Sequence, residues 1–273
     1  MSRPSGPSCC GSGIAPEEGL NRAFEDYYGG IYGSRWAELR RALLEPAQPA
    51  AYGHNLSRAY FLDKASILAA NSLRLDAGGE ILDACAAPGG KSLVLASRLP
   101  EGARLLANEV SSERRRRLAA VLDGHLGAEL RGRVTVSGFD AAALAGRRGE
   151  RGRFSAVLLD SPCSSEAHVL RDRRALEKWS PARPRFLAGR QWALLSAAFL
   201  LLKSGGSLVY ATCAINPAEN DGVAGRLLEK YGAAVLPDPP DFSGGEDCAW
   251  GKILLPDRCG GIGPMYVARF RKK

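Results

Sequence analysis

No apolar run in the sequence reaches the roughly 18 residues that a membrane-spanning helix needs. The longest, Trp192 to Leu202, is broken by Ser196 and reads as a buried helix. Met1 to Gly19 contains no apolar segment of the secretory kind and is rich in Ser, Pro and Gly. A disordered tail is expected there (residues 1–19), and a cytoplasmic protein. Glu17 and Glu18 argue against a transit peptide. Cysteine pairs of the C-x-x-C kind are absent. The seven cysteines (Cys9, Cys10, Cys85, Cys163, Cys213, Cys248 and Cys259) are odd in number and suggest neither a disulfide framework nor a zinc site. The three histidines, His54, His125 and His168, lack ligand spacing, so no metal is expected. No internal repeat is present.

What remains is a chain of 273 residues, 45% hydrophobic and 24% charged, enough for one large α/β domain and a small appendage. Lys plus Arg exceed Asp plus Glu by 37 − 29 = 8. Such a surface attracts polyanions, and nucleic acid is the usual one. Residues 20–75 have a helical pattern in which Phe24, Tyr27, Tyr28, Tyr32 and Trp36 mix with Arg35, Arg40 and Arg41. Two readings stand side by side: an amphipathic helix pair capping the next domain, or an RNA-docking arm with aromatics stacked on bases.

From residue 76 to 273 strands and helices alternate. Strands are expected at Glu80–Ala86, Arg104–Val110, Arg133–Gly138, Phe154–Asp160, Ser207–Cys213, Ala233–Leu236 and Pro264–Phe270. Helices are expected at Lys91–Leu99, Ser112–Leu122, Gly189–Lys203 and Glu219–Tyr231. Strands separated by helices imply crossover units and an α/β fold with a doubly wound, mostly parallel, seven-stranded sheet. The last two strands lack a clear helix between them; a hairpin is one explanation, giving an antiparallel strand at that edge. Arg114–Arg117 and Arg147–Arg153 read as solvated faces.

The sharpest local pattern is Asp83-Ala-Cys-Ala-Ala-Pro-Gly-Gly-Lys91. A short apolar strand runs into a small-residue loop and then a helix, a turn that lets backbone N–H groups approach a ligand. Gly89 and Gly90 would remove the Cβ that blocks that approach. Gly90-Lys91-Ser92 resembles the end of a P-loop, but Cys85 stands where that motif needs its first glycine. Glu109 closes the second strand, where a carboxylate can accept both ribose hydroxyls, and Asp140 follows the third, where it could meet an adenine amino group.

Two further strands end in Leu159-Asp-Ser-Pro-Cys-Ser-Ser165 and Tyr210-Ala-Thr-Cys-Ala-Ile-Asn-Pro-Ala-Glu-Asn-Asp221. In the strand order 3-2-1-4-5 they are neighbours, about 4.8 Å apart, so both thiols can face one planar base. Carbon 5 of cytosine is a poor nucleophile. A thiolate added at C6 makes the ring an enamine whose C5 can attack a methyl sulfonium. Asp160 is placed to stabilise charge near N3, and the second thiol could assist loss of the C5 proton, directly or through water. This chemistry does not say which thiol attacks. Cys248 and Cys259 read as small buried hydrophobes.

DACAAPGGKS, NEVSSERRRRL, the Asp of SGFDAAAL, LLDSPCSS and YATCAINPAEND, in this order across residues 80–221, resemble the Sun/RsmB family of RNA cytosine-C5 methyltransferases. YFLDKAS, with Asp63 and Ser66, adds to the likeness, which covers roughly residues 20 to 273. The resemblance implies a class I methyltransferase, a Rossmann-like fold, with S-adenosyl-L-methionine as cofactor and RNA as substrate: rRNA first, tRNA second. It implies that Cys213 is the nucleophile, that Cys163 assists release and that Asp160 acts beside them. The cofactor would contact Cys85, Ala86, Ala87, Pro88, Gly89, Gly90, Lys91, Glu109, Asp140 and Asp160.

Many members follow PCS with Gly-Thr-Gly. Here Ser165-Glu-Ala-His168 follows, closer in look to the mitochondrial rRNA-methylating branch and its bacterial relatives, and Ala214 stands where Ser is usual. The chain is expected to be too short for the extra RNA-selecting modules of other members, so a protein or ribosomal-subunit partner could supply selectivity. A non-catalytic ribosome-assembly factor would not need Asp160, Cys163 and Cys213 together. A DNA cytosine methyltransferase commonly attacks through the PC cysteine and needs a target-recognition domain.

Overall fold

The computed structural model of the protein describes residues 21–46, 48–75 and 78–273. The expected tail, with Cys9 and Cys10, and the boundary at Asp76 lie outside the described residues. The chain begins with helices α1 (Arg22–Tyr32) and α2 (Trp36–Leu44), the antiparallel strands β1 (Ala50–Tyr52) and β2 (Tyr60–Leu62), and α3 (Lys64–Asn71). Next come β3 (Glu80–Asp83), α4 (Gly90–Ala96), β4 (Arg104–Asn108), α5 (Ser112–His125), α6 (Ala128–Gly132), β5 (Val134–Ser137), α7 (Ala141–Leu144) and β6 (Phe154–Asp160). The remainder holds α8 (Glu166–Arg171), α9 (Arg173–Glu177), α10 (Ala182–Leu201), β7 (Leu202–Thr212), α11 (Asp221–Tyr231), β8 (Val235–Pro237), β9 (Glu246–Asp247), β10 (Lys252–Leu254) and β11 (Met265–Lys272).

The main sheet runs β5-β4-β3-β6-β7-β11-β10-β9, with β8 also paired to β11. The first five are parallel and β11 is antiparallel to β7. All seven strands read from the sequence are in it. The sheet has nine strands rather than seven because two short ones, β9 and β10, extend the antiparallel edge. Their two and three residues carry too little alternation to stand out in the sequence. The edge is not a simple hairpin: β11 lies between β7 on one side and β8 and β10 on the other.

The central strands are apolar because both faces are covered. Phe154 through Leu159 of β6 are all buried. Chain order reverses between β3 and its neighbours β4 and β6, so a crevice opens outside their carboxyl ends, where doubly wound sheets take ligands.

Helix α10 begins seven residues before the expected Gly189. Pro181, Pro184 and Gly189 look like breakers in the sequence. Pro184 lies in the first turn, where its missing N–H leaves no hydrogen bond unmade.

The aromatics of the N-terminal helices point inward. Phe24, Tyr28 and Trp36 are buried, and Phe24 and Tyr28 meet Trp179 at ring-centroid distances of 4.9 and 5.6 Å. Asn21 caps α1 and donates to the carbonyls of Leu176 and Trp179, both at 2.8 Å. A base cannot stack on rings already covered, so the stacking role expected of these three is corrected. They fix α1 and α2 to the segment that follows α9. No helix among the described residues is long and apolar enough to cross a membrane.

Candidate active site

Five strand ends assemble the site, those of β3, β4, β5, β6 and β7. β3 delivers the loop Ala84–Gly89, which enters α4 at Gly90. Gly89 has φ 122°, a conformation that favours glycine. A Cβ there would sit 2.9 Å from Val121 Cγ1 of α5, and one at Gly90 would sit 3.0 Å from the Tyr60 ring. These glycines therefore permit close packing of helix and hairpin on the loop. Gly90 also lines the smaller of two cavities beside the loop, together with Tyr60.

Two cavities share Cys85. One, of about 260 Å³, is lined by Ala84, Cys85, Asn108, Glu109, Phe139 and Asp140 and closed by Phe186 and Arg190 of α10. The other, of about 90 Å³, is lined by Tyr60, Ser66, Ala86, Ala87, Pro88, Lys91 and Asp160. The expected residues thus divide into two groups joined at Cys85. Glu109 is buried, accepts the Ser111 amide at 2.9 Å and pairs with Arg114 at 3.3 Å. Asp140 caps α7 through the Ala142 amide at 3.0 Å. Arg114 also donates to the Ala87 carbonyl at 2.9 Å, so it fastens the glycine loop to Glu109 and is no mere solvated arginine. Phe186 and Arg190, four apart on one helix face, went unread because α10 was expected to start later.

Asp83 stands behind the loop. It is fully buried, accepts Ser92 Oγ at 2.6 Å and leaves Oδ1 without a partner among the described residues. Burial pushes its carboxyl up to about 7.

At the end of β6, Asp160 pairs with Lys91 Nζ at 2.8 Å, and Lys91 also donates to Ser66 Oγ at 3.0 Å. Burial works against the ammonium, but Asp160 outweighs it and holds Lys91 above its ordinary range. Lys91 therefore reaches beyond the loop to the second cavity's acid.

The two thiols meet. Asp160 pairs with Ala211 in the sheet, so the β6–α8 loop and the end of β7 leave side by side. Cys163 Sγ and Cys213 Sγ are 3.0 Å apart, and Ser165 Oγ lies 3.4 and 3.3 Å from them. Both cysteines are free and half-buried. The hydrogen bond from Cys163 lowers the Cys213 thiol, and the same contact with burial holds Cys163 well above the ordinary thiol range. Either sulfur can donate in this contact, and the lowered thiol is that of Cys213. Ser165 takes a left-handed conformation, φ 53°, rare for a residue with a Cβ. Nothing in the sequence pattern announced that hydroxyl as a partner of both sulfurs.

A family model described as 16S rRNA methyltransferase RsmB/F matches residues 70–271. The ribosomal RNA small subunit methyltransferase F of Erwinia tasmaniensis is 36% identical over 225 residues, which are 80% of this chain and 46% of that protein. The chain thus spans about half the length of the curated relatives it matches. Among solved structures, a methyltransferase homolog protein from Pyrococcus horikoshii superposes with TM-score 0.71 at 21% identity, covering 92% of this chain and 94% of that one. NSun6 from Pyrococcus horikoshii, solved with SFG, gives TM-score 0.64 at 24% identity over 81% of this chain and 54% of that one. These last two likenesses are of fold.

Proposed function

The chain belongs to the 16S rRNA methyltransferase RsmB/F family, and from that premise we propose that it methylates C5 of a cytosine in RNA, rRNA by preference. The observation that carries this reading is the pair of thiols 3.0 Å apart, one lowered and one raised, beside the Lys91–Asp160 pair and the glycine loop.

S-adenosyl-L-methionine, when bound, supplies an electrophilic methyl group. The residues present fit it. Glu109 and Asp140 line the larger cavity with Asn108 and Phe139, as a nucleoside requires. Of the loop, Cys85 lines both cavities and Ala86, Ala87, Pro88, Gly90 and Lys91 line the smaller one with Asp160, while Gly89 lines neither and shapes the turn.

Cys213 attacks C6 of the target ring as a thiolate. Lys91 and Asp160 meet the edge carrying N3 and supply a proton as negative charge develops there. C5 thereby gains the nucleophilic character it lacks in free cytosine. Once C5 carries the methyl group, water takes the C5 proton, the N3 proton returns to the Lys91–Asp160 pair, and the C6–S bond breaks with Cys213 departing as a thiolate. The S–H of Cys163 is aimed at that sulfur and stabilises it on leaving. Because Cys163 rests protonated, this role suits it better than direct abstraction of the C5 proton.

The N-terminal region, residues 20–75, docks RNA through its hairpin rather than its helices. Phe61 of β2 is 65% exposed, between Tyr60 and Leu62, which line the smaller cavity. On this reading the protein acts in the cytoplasm, with a protein or ribosomal-subunit partner contributing selectivity.

The test is bisulfite sequencing of unmodified small-subunit rRNA and of tRNA after incubation with the protein and S-adenosyl-L-methionine. A newly protected cytosine in rRNA is expected. Methyl transfer to DNA but not to RNA, or cofactor binding with no transfer to any nucleic acid, would overturn the reading.

A further inference from the structure

Behind the two thiols lies a carboxyl pair that the reaction above does not use. Glu166 follows Cys163 by three residues and Glu219 follows Cys213 by six, and both are fully buried. Each grips the other cysteine's loop. Glu166, from the Cys163 side, accepts the Ile215 amide at 3.1 Å. Glu219, from the Cys213 side, accepts the Ser164 amide at 3.0 Å and Gln191 Nε2 at 2.8 Å.

Between them stands Ser164. Its Oγ contacts Glu166 Oε1 and Glu219 Oε1 at once. A hydroxyl carries one proton and can donate to only one of these oxygens. The other contact requires a proton on a carboxyl. Glu166 Oε1 already accepts the Tyr28 hydroxyl, whereas Glu219 Oε1 meets no donor but Ser164 among the described residues.

We propose that the two carboxyls share a single proton, carried at rest on Glu219, donated to Ser164 and passed on to an ionised Glu166, and that this chain positions Cys163 against Cys213. Glu166 and Glu219 are then positioning residues. The inference rests on the reading of the two thiols as the reacting groups. Burial and the charge of Glu166 push Glu219 up to about 7, in keeping with the count of protons. The other groups facing the pair do not titrate nearby. Tyr28 from α1 and Tyr210 from β7 are pushed far up by burial, Cys163 is held up by Cys213, and Gln191 from α10 is neutral. When Glu219 ionises, two carboxylates confront one hydroxyl and the crosswise grip loosens.

The measurements are alkylation of Cys213 by iodoacetamide, followed by mass spectrometry across pH, and infrared spectra of wild type, Glu219→Gln and Glu166→Gln. Glu219→Gln replaces the acid O–H by an amide N–H and keeps an oxygen for Ser164 N and Gln191. Both proteins carry the buried Asp83 acid; wild type should show a second protonated-carboxyl band near neutrality that Glu219→Gln lacks. The ratio of alkylation rates, variant over wild type, should be close to one near pH 6 and rise about threefold or more by about pH 8.5. Glu166→Gln should be the poorer variant, since its single oxygen cannot accept from both the Tyr28 hydroxyl and the Ile215 amide and its NH2 then faces one of those donors. A ratio that stays flat or falls, a wild-type spectrum without the band, or Glu166→Gln behaving as wild type while Glu219→Gln loses alkylation would each overturn the proposal. If Glu166→Gln does not fold, the ratio and the band decide. These readouts need no RNA, so failure of methyl transfer with intact ratio and band would count against the substrate reading alone.

Discussion

At the residue scale, the division of labour between the thiols is a matter of one proton. The contact between the two sulfurs goes with a lowered Cys213 thiol and a raised Cys163 thiol, the pattern that results when Cys163 is the donor. In Cys163→Ala the donor is gone, so the pH midpoint of Cys213 alkylation should move up, by about one unit for a lost hydrogen bond worth roughly 1.4 kcal/mol. A midpoint that stays put would mean that Cys163 does not set the ionisation of Cys213. Ser165→Ala should move it the same way by less. The sequence made the pairing legible, because PC and TC stand at the ends of adjacent parallel strands. It did not reveal which sulfur carries the charge, since that depends on a 3.0 Å contact and on Ser165 in a left-handed conformation. Glu166 and Glu219 were equally opaque: an acid in a polar loop reads as solvated until its partners are seen.

At the scale of elements, the strands that carry the site were readable from their apolar runs, and β6 was found with its bounds unchanged. Boundaries failed where a rule met its exception, as at Pro184 in the first turn of α10. The N-terminal helices failed differently. An amphipathic face looks the same whether it will meet bases or a tryptophan, and here Trp179 closes over Phe24, Tyr27 and Tyr28. Trp179→Ala should destabilise the protein by about 3–5 kcal/mol, read from urea unfolding, because the cavity left behind cannot collapse around three rings. Phe61→Ala on the exposed hairpin should leave stability unchanged and raise KM for RNA roughly fivefold or more with little change in kcat, the loss of one stacked base. An unchanged KM would remove the hairpin from the RNA path.

At the scale of the whole molecule, buried acids give stability a direction with pH. Glu219 has an ordinary value of 4.5 and is raised to about 7 in the fold, so the folded protein binds its proton more tightly than the unfolded chain. Its contribution is full below about pH 4.5, declines as pH rises and is gone above about pH 7, with an upper bound on the order of 3 kcal/mol. Glu219→Gln should therefore gain in melting temperature relative to wild type as pH rises from 5 to about 8. A constant difference across that range would show that Glu219 does not titrate there. The net charge of +8 was legible from composition and predicts RNA affinity that falls steeply with salt. The most direct trial of the whole account is a denaturing gel of Cys163→Ala incubated with unmodified small-subunit rRNA and S-adenosyl-L-methionine. A retained protein–RNA band is expected, absent when Cys213→Ala is added. Formation of that band, or methylation, by protein lacking the Cys213 thiol would contradict it.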